Sequence, residues 1–386
     1  MAPISDWIVL SNPMNNPLYP FGVSNMPYNA GYKIWQILGG LIAWLIDVIV
    51  PGNRVSLWLM GDAVSNALGM ILMVIVIFAV CFIVNLTMIW VERKVLGRLM
   101  DRRATMIGPL GYLQCLGDGL KTFLKEHIVP DKADHMTYMW AVSIIVGSSV
   151  LVAGMIPLSY RFFLHDYGAG LLIIFGLFAV APLMILVAGW SQNNKYSLIG
   201  GMRGAAQMIS YEIPILLVFA AVALMAGSFN INEIVRYQSE NTWFIIPQII
   251  GFVVFIVAGT AEAERIPFDL PEAEAELVEG WQTEYGGMKW GLIMLSEYFR
   301  GYVVCALGVI MFLGGWDIPF LGAETWGAEL AFLLKVFLLF FIMAWTRGTL
   351  CRIRTDQILN LGWKVLLPLA ILNLFVVVVL KVGGLF

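Results

Sequence analysis

Histidine and cysteine are scarce in this chain. Its 386 residues include three histidines (His127, His135, His165) and four cysteines (Cys81, Cys115, Cys305, Cys351), with no CxxC. A zinc, iron–sulfur or haem centre needs such ligands closely spaced, so no bound metal or haem is expected, and nothing suggests a bound flavin. If the chain works in a redox machine, the electrons travel elsewhere. Charge is scarce too: 13% of residues are charged, against roughly a quarter in soluble proteins. The net charge of −3 gives no support for nucleic-acid binding. No Gly-rich phosphate loop stands out, and Ser210 and Ser296 lack a positioned histidine. No inverted repeat is visible, which weighs against a self-contained transporter. No Arg-rich transit peptide or signal-cleavage pattern is evident.

What is abundant is apolar surface. Hydrophobic residues make up 60% of the chain and its mean hydropathy is +0.83. The expected class is all-α, a polytopic membrane protein with eight transmembrane helices plus a cytoplasmic-side amphipathic surface helix. The spans read as Leu68–Trp90, Met136–Pro157, Gly168–Trp190, Ala205–Gly227, Trp243–Ala261, Lys289–Gly314, Trp326–Trp345 and Val365–Val382. Placing the loop after the first span in the cytoplasm puts 16 basic residues on that side and 5 on the other. That is the positive-inside asymmetry, and it sets the orientation in the membrane, taken as a prokaryotic cytoplasmic one.

Two domains are expected. Residues 1–67 form an N-terminal extension whose stretch near 32–50 reads as an interfacial helix or a ninth, tilted span. Residues 68–386 form the eight-helix domain. Within it, Tyr112, Leu113, Leu116, Leu120, Phe123 and Leu124 recur at helical spacing opposite Asp118, Lys121 and Lys125, giving a surface helix over about 109–126. A plain membrane anchor explains such a helix; a docking platform for a soluble partner is the functional reading.

The densest chemistry lies between the fifth and sixth spans, in a loop over 262–287. Eight carboxylates fall between Glu262 and Glu284, with Arg265 as the lone base, for a formal charge of −7. Phe268, Leu270, Leu277, Val278 and Trp281 are interleaved, so the segment folds rather than floats. Crowded carboxylates share protons and shift their pKa values. Glu212, Glu262, Glu264, Glu297, Arg300 and Lys335 stand within or at the ends of spans, where each must face protein or water. Glu297 and Arg300 at i,i+3 either pair with each other or serve separately. Glu212 has no basic partner in its span, as suits a proton relay.

These residues carry a resemblance. The run ERIPFDLPEAEAELVEGWQTEYGGMKWGLIMLSEY resembles the fifth-to-sixth helix loop of one family, the membrane subunits that join the two arms of respiratory complex I (designated H in bacteria and 1 in mitochondria). The blocks VERKVLGRLMDRR, GPLGYLQCLGDGLKTFLKE, NKYSLIGGMRGAAQMISYEIP and RIRTDQILNLGWKVLLPL agree in order, over about residues 68–380. The resemblance implies a chamber for a quinone or quinone-like lipid-soluble carrier, taken as substrate. Glu92, Arg93, Arg102, Asp118, Phe268, Asp269, Glu272, Glu274 and Glu276 match its chamber and quinone-responsive loop. Glu212, Glu262, Glu297 and Tyr298 match the acidic path toward antiporter-like membrane subunits. Peripheral-arm iron–sulfur and quinone-site subunits are the other implied partners, besides membrane lipid. The chain departs from the family pattern in the short turn RRATMIGP, in Gln282 where many relatives carry His, and in the extra acid Glu264.

The expected function is therefore an energy-coupling subunit of a proton-translocating quinone oxidoreductase, with no redox centre of its own. The equivalent subunit of an archaeal deazaflavin:methanophenazine dehydrogenase, a thylakoid ferredoxin-driven complex or a membrane-bound hydrogenase remains open on the sequence, as does a stand-alone ion transporter. Arg352, Arg354 and Asp356 are expected to dock the peripheral arm rather than to take part in catalysis.

Overall fold

A computed structural model describes residues 62–159, 162–164, 166–317 and 327–383. The expected helix near 32–50, and nearly all of the 1–67 extension, lie outside the described residues. By contacts the chain divides into one unit of residues 1–80 and 157–165 and another of residues 81–156 and 166–386. The second unit holds nearly every residue discussed below.

The described residues contain helices and turns but no strand. Backbone groups in hydrocarbon have no water to bond, and a helix satisfies them within one segment. The long elements are α1 (Asp62–Leu99), α3 (His135–Met155), α4 (Gly170–Phe178) continuing as α5 (Val180–Ser191), and α6 (Lys195–Ala226). Later come α10 (Met288–Phe312), α11 (Ala328–Thr349) and α12 (Thr355–Leu361), which passes through a π turn into α13 (Leu367–Val382). Shorter elements are α2 (Leu113–Leu124), α7 (Ile231–Glu240), α8 (Ile249–Glu262) and α9 (Glu274–Leu277).

Seven helices among the described residues are long and apolar enough to cross a membrane. The fifth expected span differs: only α8, of 14 residues, is helical there, about 21 Å at 1.5 Å per residue. The span expected from Trp243 is interrupted because Trp243–Pro247 turns instead. Gln238 accepts the N–H groups of Phe244 and Gly314 (3.3 and 3.2 Å) and so holds that turn. The first span runs past Trp90, so Glu92 and Arg93 are helical rather than loop residues. α6 begins ten residues ahead of the expected Ala205, at Lys195, where the Asn194 side chain caps it by accepting Tyr196 N–H.

α10 is the most enclosed of the spans, with 83% of its apolar window buried. It packs against α3, α8 and α11. α6 packs against α5, α8 and α13. The surface helix is present as a 3-10 turn (Pro109–Gly111) followed by α2. Leu113, Leu120, Phe123 and Leu124 of α2 are exposed, and within α2 only Cys115 is buried. Lys335, inside α11, donates to the carbonyls of Leu313, Gly315 and Asp317 (2.7, 3.0 and 2.6 Å) and lies over the Trp243 ring. It thus satisfies carbonyls of the turn that follows α10.

Candidate functional site: a buried acidic loop on α10

The loop between α8 and α10 folds inward, as its interleaved apolar residues require. Phe268, Leu270, Leu277 and Trp281 are buried. Gln207 of α6 donates to the carbonyls of Ala261 and Phe268 (2.9 and 2.6 Å), tying both ends of the first loop turn to one helix. Two glycines allow the backbones to meet. At Gly280, with φ of 58°, an added Cβ would lie 1.6 Å from the Pro271 carbonyl oxygen. At Gly200 of α6 it would lie 2.5 Å from the Trp281 nitrogen.

The carboxylates inside this shell form a line joined by hydrogen bonds at Glu272, Gln282 and Glu297 and elsewhere by electrostatic reach. Asp269 accepts from Arg352 through both its backbone oxygen (2.7 Å) and its side chain (3.3 Å). Glu272 accepts from the Gln282 amide nitrogen. That same nitrogen donates to Glu297 of α10 at 2.7 Å. Glu264 accepts from Arg300 at 2.7 Å, both side chains being at most 3% exposed. Glu262 is buried within electrostatic reach of Arg300, Glu212 and Glu264.

Burial governs the protonation of the loop acids. It raises Glu264 to about 7 against the opposing Arg300 guanidinium. It raises Asp269 to about 6, opposed by Arg352 and reinforced by Glu297. Glu272 is pushed well above the carboxylate range by burial and then by the neighbouring Glu297. Burial and neighbouring like charge thus raise all three loop acids above the usual carboxylate range.

A second charged group lies beside this line. Glu92 of α1 accepts from Arg347 of α11 and, at 3.3 Å, from Arg265 of the loop. Arg265 stacks over the Tyr298 ring at 4.1 Å. A buried carboxylate between two guanidiniums is a pinned anion, and it anchors the loop to α1 and α11.

The structure thus brings Glu92, Asp269, Glu272, Glu262, Glu297 and Tyr298 together, with Phe268 packed on Tyr211. Arg93 and Asp118 form their own part-exposed ion pair between α1 and α2. Glu276 is exposed and pairs with Arg203. Arg102 is exposed on the turn after α1. Glu274 heads α9, and its side chain lies outside the described residues. Glu212 is half-buried on α6 in line with the exposed Ile209, Ile213 and Leu216. The two readings of Glu297 and Arg300 resolve in favour of separate partners: Arg300 takes Glu264, and Glu297 takes Gln282. The reason is the turn at Glu264, whose φ of 52° reverses the chain at the end of α8. Arg352, expected to dock a partner, is paired with Asp269 while still part-exposed, and Arg354 and Asp356 are exposed.

Sequence reasoning passed over Arg265, Arg347 and Gln282 as site members. Glu92 lies 173 residues from Arg265 and 255 from Arg347, so no local pattern marks those two, whereas Gln282 lies 10 and 15 residues from its partners. Among the described residues no group of three or more His, Cys, Asp or Glu is placed to hold a metal ion.

The profile of the family described as NADH dehydrogenase matches residues 71–378. The H subunit of NADH-quinone oxidoreductase from Bacillus thuringiensis (strain Al Hakam) is 44% identical over 320 residues, covering 80% of this chain and 93% of that protein. The proteins of the same name from Bacillus cereus (strain AH187) and Bacillus anthracis (strain A0248) match to the same extent. The matched region includes the acidic loop, both helices that flank it and every ion pair described above, and the chain belongs to the NADH dehydrogenase family.

Proposed function

We propose that this chain is the membrane subunit of an NADH-quinone oxidoreductase that links quinone chemistry to proton translocation. The observation that supports this reading best is the bridge from Glu272 in the loop, through Gln282, to Glu297 in α10, with Asp269 within electrostatic reach of Glu272. It connects a loop at a membrane boundary with the interior of the spans, as a proton path requires. Glu264 and Arg300, Glu262 and Glu212 continue it. A lipid-soluble quinone has a polar head and an apolar tail. The charged shell of Glu92, Arg265, Arg347 and Asp269 suits the head, and the exposed apolar face of α2 suits the tail.

In this reading the quinone takes electrons from a cluster held by a peripheral-arm subunit. The proton and charge change there resets the loop, because Asp269 and Glu272 already sit near their protonation midpoints or above the usual range. The altered charge passes to Glu297 and on toward antiporter-like neighbours. The loop, α2 and the exposed Arg354–Asp356 pair face the cytoplasm, where the peripheral arm docks.

Glu297→Gln or Glu212→Gln in the assembled complex is expected to abolish proton pumping coupled to quinone reduction. Normal pumping by a fully assembled variant would remove that residue from the path. Mild-detergent purification is expected to bring down iron–sulfur proteins and a quinone with the chain. A lone, carrier-free chain that moves ions in liposomes would support a stand-alone transporter instead.

A further inference from the structure

Gln282 is fully buried on the 3-10 turn Gly280–Gln282. Its amide nitrogen carries two hydrogens and faces two carboxylates from different elements, Glu272 of the loop and Glu297 of α10. The opposite orientation would press its carbonyl oxygen against both acids, so the acids themselves determine which way the amide points. Its Oε1 has no partner among the described residues, although it is buried. The turn that carries it has little freedom. Gly280 abuts Pro271, the Trp281 carbonyl accepts from Gln192, and the Gln282 N–H donates to the Glu279 carbonyl (3.2 Å). Other charged groups that act on these acids are Asp269, Glu264 and Arg265 from the loop and Arg300 from α10.

We propose that Gln282 is a positioning residue that clamps Glu272 and Glu297 into a single proton-sharing pair, using one N–H for each. This rests on the proton-path reading above and deepens it. A side chain that does not titrate is suited to the task. It holds the two oxygens at a fixed spacing in every charge state of the pair, and it stabilises the anion whichever acid carries the charge. A charge change at Glu272 then reaches Glu297 and α10 without a large movement.

The test uses the assembled complex in membranes with Gln282→Met, which keeps the bulk and removes both donors, and Gln282→Asn, whose shorter amide cannot span both acids. NADH-driven quinone reduction and pumping are followed against pH. The carbonyl band of protonated carboxyl groups is followed by infrared titration of the purified complex. Loss of the donor disfavours the Glu272 anion, so Glu272 holds its proton to higher pH. Both the pumping limb and the band midpoint should move upward by about one pH unit, near the tenfold that one charge-assisted hydrogen bond supplies. If Gln282→Met fails to assemble, the shift in Gln282→Asn decides. An unshifted limb and band in an assembled variant would overturn the assignment and reduce Gln282 to packing. Wild-type membranes without coupled pumping, but with a band that still shifts in the variants, would instead sink the proton-path reading and leave the clamp standing.

Discussion

Arg300 and Glu264 form the most deeply buried ion pair among the described residues. Removing one member leaves the other charge uncompensated away from water. Glu264→Ala is therefore expected to destabilise the chain by about 3 kcal/mol, measured by thermal unfolding in detergent. Arg354 is 76% exposed in its pair with Asp356, and Arg354→Ala should change stability by less than about 1 kcal/mol. The loop acids also carry a pH dependence. Their folded pKa values lie above the ordinary range, with Asp269 at about 6 and Glu264 at about 7. In that window the folded state binds more protons than the unfolded state. Their contribution is thus fully present below the ordinary carboxylate range and is lost as pH rises through about 7. Hydrogen exchange across residues 263–287, corrected for intrinsic rates, should show protection falling as pH rises from about 5 to about 8. Constant protection would mean that the acids are ionised throughout.

At the scale of elements, the loop depends on close backbone approach. Gly280→Ala places a Cβ 1.6 Å from a carbonyl oxygen at a positive φ. It should displace the α9 and Gln282 turns at a cost of at least about 2 kcal/mol, read as faster proteolysis within the loop. α6 carries Pro214 inside its length, which removes the N–H that would bond the Ser210 carbonyl. The π turn at Gly362–Leu366 packs against this site, and Trp363 donates to Ser210 Oγ at 3.1 Å. Two departures from regular helix thus meet one turn from Glu212, where a membrane span would otherwise be uniform.

At the scale of the molecule, orientation is testable through cysteine. Cys351 is exposed and Cys81, Cys115 and Cys305 are buried. A membrane-impermeant maleimide should label Cys351 in inverted vesicles and spare it in right-side-out ones. The reverse would place the acidic loop on the other face. Docking of a peripheral arm over Arg354 and Asp356 should slow the labelling, since Cys351 precedes them by a few residues.

The all-helical class, most span positions and the surface helix were legible in the chain, because lipid imposes length and apolarity on local sequence. The acidic loop was legible because eight carboxylates in a short, partly apolar run have few structural uses. Partner choice was not legible. Spacing allowed Arg300 to take Glu297, and only the turn at Glu264 sent it to another acid. Arg265 and Arg347 became members of the site by meeting Glu92 of the distant α1, and Gln282 by turning between Glu272 and Glu297. α8 fell short of a full span because a tertiary cap at Gln238 held the preceding turn. Periodicity and composition act through local burial and are written along the chain. Which buried charges meet depends on how helices pack, and only the folded molecule decides it.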